Sequence, residues 1–327
     1  MPQLRAVFLL MIAGLFVWGG WSFFSPGVVG NAPLQAYMPP ATDQPISPIP
    51  TRLELDPRKV ALGRRLFHET RLSRDNSISC ASCHVLKLAG VDARALAVGI
   101  DGRLNTVNTP TVLNSGFNFS QFWDGRAVSL EDQVAGPLHN PVEMDTNWRQ
   151  VIAKLEGVAD YRRDFAAIWP GGITAGHIQS ALAEFERSLI TPDAPFDHYL
   201  RGDSLALSAQ AREGWELFRK LGCIACHQGV NVGGNMYANL GVMGDFFADR
   251  GKPLLQSDLG RFNVTGLEED RHMFKVPSLR NVERTAPYFH DGSITSLGDA
   301  VDTMARYQLG CGWRRRSARH CWPSSTV

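Results

Sequence analysis

The sequence has almost no net charge to offer a partner. Its 33 Lys and Arg stand against 32 Asp and Glu, a formal +1. That excludes the overall basic signature of a nucleic-acid-binding protein. Acid is missing from the start, since none precedes Asp43, and it is missing again from residues 311–327. Charge of either sign is missing for nineteen residues, Ala6 to Phe24, behind a lone Arg5. One basic residue before such a run is a targeting pattern, and Trp18, Trp21, Phe23 and Phe24 leave it no polar face. A removed signal peptide has an apolar core of roughly 7–15 residues, whereas about 20 span a bilayer. Gly30-Asn31-Ala32 is a poor cleavage site. An uncleaved anchor over residues 1–24 is therefore favoured over a removed signal peptide. Either one carries the rest of the chain out of the cytoplasm. Strand signals are also scarce, which points to a mainly α chain with long loops.

What remains is ordinary globular material, 44% hydrophobic and 20% charged over 327 residues, enough for two domains with cores. Residues 25–55 carry seven prolines and read as an extended linker. Asp56-Pro57 reads as an N-cap and first helical residue, opening a helix through Phe67. Ile178, Leu182, Phe185 and Leu189 lie on one stripe of a helix from Thr174 to Leu189. Ser208 opens another helix toward Cys223, and the Gly- and Asn-rich stretch Gly229–Gly244 reads as loop.

Four of the six cysteines form two motifs, Cys80-Ala-Ser-Cys83-His84 and Cys223-Ile-Ala-Cys226-His227. C-x-x-C-H is the attachment signature of c-type haem. Each thiol adds to one vinyl group, and the adjacent His donates an imidazole nitrogen to iron. Two motifs in an exported chain imply two covalently bound haem c groups. A disulfide would not need the His twice, and zinc would need further ligands nearby.

Downstream of each motif the chain repeats itself at one offset, 167 residues. Pro110-Thr-Val-Leu-Asn114 matches Pro277-Ser-Leu-Arg-Asn281. Phe122-Trp123-Asp124-Gly125 matches Phe289-His290-Asp291-Gly292. Ser129-Leu130 and Val134 match Ser296-Leu297 and Val301. Upstream, Leu66-Phe67 corresponds to Leu217-Phe218. Each half is thus one haem domain. Met304 follows the second Asp-Gly by twelve residues on a helix starting near Ser296, a candidate sixth ligand for the second haem. Its counterpart in the first half is Pro137, which cannot ligate. One haem would accept electrons while the other keeps an open position.

The sequence closely resembles the bacterial di-haem cytochrome c peroxidases from about Leu55 to Gly310. The resemblance is carried by Leu72-Ser73, Ser79-Cys-Ala-Ser-Cys-His84, Asn108-Thr-Pro-Thr-Val-Leu-Asn114, Gln121-Phe-Trp-Asp-Gly-Arg126, Gly136-Pro137, Asn140-Pro-Val-Glu-Met144, Lys275-Val-Pro-Ser-Leu-Arg-Asn281, Pro287-Tyr-Phe-His-Asp-Gly292 and Gln308-Leu-Gly310. It implies two cytochrome c-like domains, 56–200 with the peroxide-reactive haem and 201–310 with the electron-transfer haem. It implies reduction of hydrogen peroxide to water with electrons from a small periplasmic donor, a cytochrome c or a copper protein. Haem 1 on His84 would bind peroxide, with Glu143 as acid–base group and Gln133 beside it. Trp123 would lie between the haems, and haem 2 on His227 and Met304 would receive electrons. A calcium ion would be held by the Asn108 side chain and the carbonyls of Thr285 and Pro287, the hard oxygen ligands that ion takes. A homodimer is left open.

Two departures stand out. Many relatives carry a His in the loop that here reads Val98-Gly99-Ile100-Asp101-Gly102, and no His occurs between His84 and His139. Haem 1 is then expected to be open in the resting oxidised protein, unless His139 ligates it. After Gly310 the family continues into another helix, but residues 311–327 are rich in Arg, Cys, Trp and Ser without helical periodicity. A frameshift is favoured there over a basic partner-binding tail. Two competing functions remain, a di-haem oxidase of the methylamine-utilisation type and a plain electron carrier. The first type uses Tyr at haem 2, and Tyr307 lies one turn beyond Met304.

Overall fold

The structure is a computed structural model that describes residues 44–311. The expected anchor, most of the linker and the tail from residue 312 lie outside the described residues. Among the described residues no helix is long and apolar enough to cross a membrane. The helices are α1 (Pro57–Phe67), α2 (Cys80–Cys83), α3 (Leu130–His139), α4 (Trp148–Glu156), α5 (Ala159–Ile168), α6 (Ala175–Arg187), α7 (Pro195–Leu200), α8 (Ala209–Lys220), α9 (Phe246–Asp249), α10 (Phe262–Thr265) and α11 (Leu297–Leu309). Two three-residue strands, β1 (Tyr237–Asn239) and β2 (Met273–Lys275), pair antiparallel. β1 falls inside the stretch expected to be loop. Its register is set by a partner some 36 residues away, which local periodicity does not encode.

Side-chain caps set the helix starts. Asp56 accepts from Arg58 N, Thr174 from His177 N and Ser208 from Ala211 N, satisfying N–H groups that have no intrahelical partner. The repeat is visible in local geometry. Ser129 and Ser296 each cap their helix through the N–H three residues on, at 3.0 Å. Gln121 bridges Ala127, and Tyr288 bridges Ile294. Asn114 and Asn281 share a left-handed backbone (φ 61° and 59°), and so do Phe122 and Phe289 (φ 69° and 68°). A bulky residue at positive φ is strained, so its recurrence at one repeat position marks a built feature. The turn it makes aims Trp123 in one half and His290 in the other.

The halves are stitched by a reciprocal pair of backbone bonds. Asn108 N–H donates to the His290 carbonyl at 2.8 Å, and Lys275 N–H donates to the Trp123 carbonyl at 2.8 Å. Asn108 and Lys275 are repeat counterparts, as are Trp123 and His290. A second stitch is the buried ion pair of Arg280 with Asp197 at 2.7 Å. The end of the expected linker joins it. Ile46 and Ile49 are core residues, Ile49 N–H donates to Asp197 Oδ1 at 3.0 Å, and the Ser47 carbonyl accepts from Arg280. The end of the expected linker is therefore part of the folded body, with Ile46 and Ile49 buried and the backbone of Ser47 and Ile49 bonded to Arg280 in one half and Asp197 in the other.

The first-half core is where α1 crosses α6, and Leu62, Leu66, Phe67, Ile178, Leu182 and Phe185 are all buried there. Each such side chain contributes roughly 1.5–3 kcal/mol by leaving water. Gly63 permits the crossing, since a Cβ there would lie 1.9 Å from the Ala181 carbonyl oxygen. Its counterpart in α8 is Gly214, four residues before Phe218 as Gly63 is before Phe67. A Cβ on Gly214 meets nothing within 4 Å. No residue of α8 is buried, and Ala211, Gly214, Trp215 and Phe218 border a cavity of about 430 Å³. Among the described residues the second half lacks the helix that α6 supplies to the first.

This asymmetry is testable by paired substitutions. Gly63→Ala should destabilise the protein by about 1–3 kcal/mol, the cost of overpacking. Gly214→Ala should be neutral or stabilise by about 1 kcal/mol through helix propensity. Equal effects on thermal denaturation would contradict the account.

Candidate active site

The Cys80–His84 motif is a single helical turn whose cap box is closed by the Ser79 N–H donating to Ser82 Oγ at 3.0 Å. It places Cys80, Cys83 and His84 on the wall of a cavity of about 460 Å³. His84 Nδ1 lies 3.2 Å from the Gly90 carbonyl. A carbonyl only accepts, so Nδ1 carries the proton and Nε2 keeps its lone pair for a metal. Burial holds the imidazole below its ordinary pKa, which favours the neutral ligating form. In the second motif His227 Nδ1 approaches the Val232 carbonyl at 3.4 Å, and burial again lowers the pKa. The ring of Phe218 lies 6.4 Å from His227, as Phe67 lies 6.5 Å from His84. Paired thiols, an adjacent neutral imidazole and an apolar-walled cavity fit a covalently attached haem.

Glu143, Gln133 and Trp123 all line the first cavity. Glu143 stands in the turn between α3 and α4. Its Oε1 accepts from Asn140 Nδ2 at 2.7 Å and from Asn105 Nδ2 at 2.9 Å, which leaves Oε2 without a share in that pinning. Burial raises the carboxyl pKa, against the two amides and the more distant Arg126, which lower it. Trp123 Nε1 donates to the Asn108 carbonyl at 3.0 Å. The same ring packs on the second-half cluster of Leu240, Phe246, Phe247, Phe274 and Tyr307, which also receives Met304. Trp123 therefore touches both halves.

Other expected residues fall differently. Met304 is half-buried on α11 but does not border the second cavity, and neither do Cys223, Cys226 and His227. Tyr307 is buried, and its hydroxyl donates to Asp249 at 3.0 Å. His139 is exposed, set edge-on to Trp148 at 5.8 Å, and absent from the first cavity wall. The departed loop presents Gly99 to the cavity, while Ile100 is fully buried with its N–H on the Glu143 carbonyl at 2.9 Å. Asn108 is buried, and its amide donates to the carbonyls of Arg94 and Ala95 at 2.8 and 3.3 Å, which turns Nδ2 away and leaves Oδ1 as an acceptor. Gly292, beyond Pro287, packs so closely on Ala95 that a Cβ would lie 2.5 Å from its backbone. Among the described residues no group of three or more His, Cys, Asp or Glu could hold a metal ion. The calcium set expected from sequence, an amide and two carbonyls, is not of that kind.

Sequence reasoning missed several polar residues here. Asn105 precedes Asn108 by three positions with nothing local to mark it. Glu186 on α6 is buried on the first cavity wall, and burial pushes its carboxyl up to about 8. Lys275 is buried, its ammonium pushed down to about 8. His290 is buried against Asp258, Nε2 to Oδ1 2.7 Å, and stacks on Phe274. Burial works against the Asp258 carboxylate, but Arg250, the Leu255 N–H and His290 outweigh it and hold its carboxyl well below the usual range. The repeat could have flagged Lys275 and His290, which replace Asn108 and Trp123 at offset 167.

A duplicated helical fold with two thiol-pair-and-histidine turns defines a di-haem c-type cytochrome. Comparison with known proteins makes this more specific. The family model described as di-haem cytochrome c peroxidase matches residues 57–205. The cytochrome c peroxidase Ccp of Escherichia coli is 47% identical over 274 residues, 83% of this chain and 58% of that protein's length. The cytochrome c551 peroxidase of Nitrosomonas europaea is 42% identical over 82% of this chain and 79% of its own length. A crystal structure of a MauG-like protein associated with microbial copper homeostasis aligns with TM-score 0.70 at 31% identity, covering 87% of this chain and 85% of that one. The chain belongs to the di-haem cytochrome c peroxidase family.

The buried carboxyl of Glu186 has a pH signature. Its pKa is raised in the fold, so the folded state binds the proton more tightly than the unfolded chain. Stability is then lost as pH rises from about 4.5 toward about 8. Glu186→Gln should raise stability at pH 8 by on the order of a few kcal/mol and leave it unchanged near pH 4. Parallel pH–stability curves for the two holoproteins would contradict this.

Proposed function

We propose that this chain is a periplasmic cytochrome c peroxidase that reduces hydrogen peroxide to water. Two electrons from a small redox protein and two protons yield two waters. The observation that carries the reading is the Glu143 carboxylate. It is half-buried on the wall that also holds His84, and it is pinned through one oxygen by two amides. A haem on Cys80, Cys83 and His84 would supply the iron that binds peroxide. Cleaving the O–O bond needs a proton moved from the inner to the outer oxygen, and one carboxylate within reach does both transfers. Glu143 takes that role, with Gln133 on the same wall. Its raised pKa brings it nearer to the range where a carboxyl both accepts and returns a proton.

The second haem, on Cys223, Cys226 and His227 with Met304 as sixth ligand, would receive electrons from a cytochrome c or copper protein. Trp123 connects the halves and lies on the route. The proposed division is 56–200 for the peroxide-reactive domain and 201–310 for the electron-entry domain. Asn108 Oδ1 with the Thr285 and Pro287 carbonyls would hold calcium at the seam, and the N-terminal apolar run would anchor the protein to the inner membrane. The first haem would be open without prior reduction. Ile100 is buried where many relatives carry a ligating His, and His139 is off the cavity wall. The oxidase reading is disfavoured because Tyr307 is engaged by Asp249 rather than standing free to ligate. The carrier reading is disfavoured because it gives Glu143 no task.

Steady-state turnover of the oxidised holoprotein with peroxide and a reduced cytochrome c tests this. Glu143→Gln should lower kcat roughly 10²–10⁴-fold while leaving both haems attached. Unchanged turnover in that variant would defeat the mechanism.

A further inference from the structure

We infer that Asn105 and Asn140 are positioning residues for the Glu143 carboxylate, and that Arg74, Asp101, Arg103 and Asp145 fasten the segment carrying Asn105 to the turn carrying Glu143. The inference rests on the reading of Glu143 as the proton-transfer group and adds what holds that group in place.

Glu143 lies outside any helix or strand, so no regular ladder fixes its backbone. It is held by what is laid against it. Ile100 N–H donates to the Glu143 carbonyl at 2.9 Å, and Arg74 N–H donates to the Met144 carbonyl at 2.8 Å. Gly99 allows the approach, because a Cβ there would lie 2.0 Å from the Val142 carbonyl oxygen. Around this seam four charges alternate. Arg74 pairs with Asp101 at 2.6 Å and also with Asp145. Arg103 reaches Asp101 at 3.1 Å and Asp145 at 3.5 Å, and donates to the Pro141 carbonyl at 2.7 Å. Each of these half-exposed pairs is weak alone. Closed into a ring, they tie the segment 99–105 to the turn 140–145, since each cation serves an acid from both.

The consequence is at the carboxylate. Asn105 arrives from the fastened segment and Asn140 from the end of α3, and both amides donate to Oε1. Two donors on one oxygen fix the carboxylate plane and commit Oε2 to proton exchange. They also favour the charged form and so temper the pKa that burial raises. The other charged or titratable groups around Glu143 are Arg126 from the Gln121–Ala127 turn and the thiols of Cys80 and Cys83 on α2. The thiols become thioethers when haem is attached. Asn105 is therefore the group whose loss the titration of Glu143 should report.

The test compares holoprotein variants Asn105→Ala, Asn105→Asp, Asn105→Gln and Asp145→Asn with wild type and Glu143→Gln, across pH. Asn105→Ala should lower kcat for peroxide roughly tenfold, the usual consequence of losing a hydrogen bond to a charged group, with KM little changed. The acid limb of the pH–rate profile should move upward, because a donor to the carboxylate is gone. The Glu143 carboxyl band, read by infrared difference against Glu143→Gln, should titrate upward in step. Asn105→Asp keeps the shape but replaces the donor with a like charge, so it should shift the limb further and carries the test should Asn105→Ala not load haem. Asn105→Gln should recover part of both signals, and Asp145→Asn should show a smaller shift of the same sign. A wild-type kcat and pH profile in Asn105→Ala and Asn105→Asp, with Glu143→Gln inactive, would overturn the positioning role alone. An active Glu143→Gln would overturn the underlying reading as well.

Discussion

Two backbone hydrogen bonds, Asn108 N–H to the His290 carbonyl and Lys275 N–H to the Trp123 carbonyl, hold the two halves in register. Backbone groups buried at such a seam must be paired, and leaving one unmade costs about 1–3 kcal/mol. Much of the site hangs on this reciprocal pair. Asn108, fixed by its own N–H, offers its carbonyl to the Trp123 indole, so the ring that spans the halves is fastened by the residues that join them. The first cavity takes part of its wall from Trp123 and Asn108, and part from Gln256, Ser257 and Asn263 of the second half. The first site is thus completed across the seam.

Duplication built this arrangement and divergence gave it direction. The two halves keep the same strained turn at Phe122 and Phe289, the same capped helix after it and the same left-handed asparagine before it. They differ where chemistry is asked of them. Trp123 stands against His290, Asn108 against buried Lys275, and Pro137 against Met304. Packing diverges too. The close α1–α6 crossing at Gly63 gives the first half a dense core, whereas Gly214 on α8 faces open space among the described residues. The dense half carries Glu143, pinned by two amides. The sparse half carries the thioether candidate, Met304, packed only in part.

Much of this was legible in the sequence because it is local. Asp56, Thr174, Ser208 and Ser296 announced their helices, since a cap needs only its own next few residues. The thiol–histidine turns were legible for the same reason, and one constant offset exposed the repeat. What stayed hidden depends on distant pairs. Nothing near Asn105 says that it will meet Glu143 thirty-eight residues on, and nothing in the proline-rich stretch says that Ile46 and Ile49 will be buried. Glu186 reads as the polar position of an amphipathic helix until the cavity beside it is seen. The family resemblance leaves Tyr307 and His139 open as ligands, and the sequence around them does not decide it. Asp249 and Trp148, the partners that engage them, are remote or unmarked in the chain.

Under the proposed function the first haem site would be open beside Glu143, while the second would be closed by His227 and Met304. Low-temperature EPR of the oxidised holoprotein as isolated tests it most directly. One high-spin and one low-spin ferric signal in equal amounts is the expected result. Two low-spin signals would mean that a protein group fills the first site at rest, and the account of Ile100 and its buried loop would be wrong.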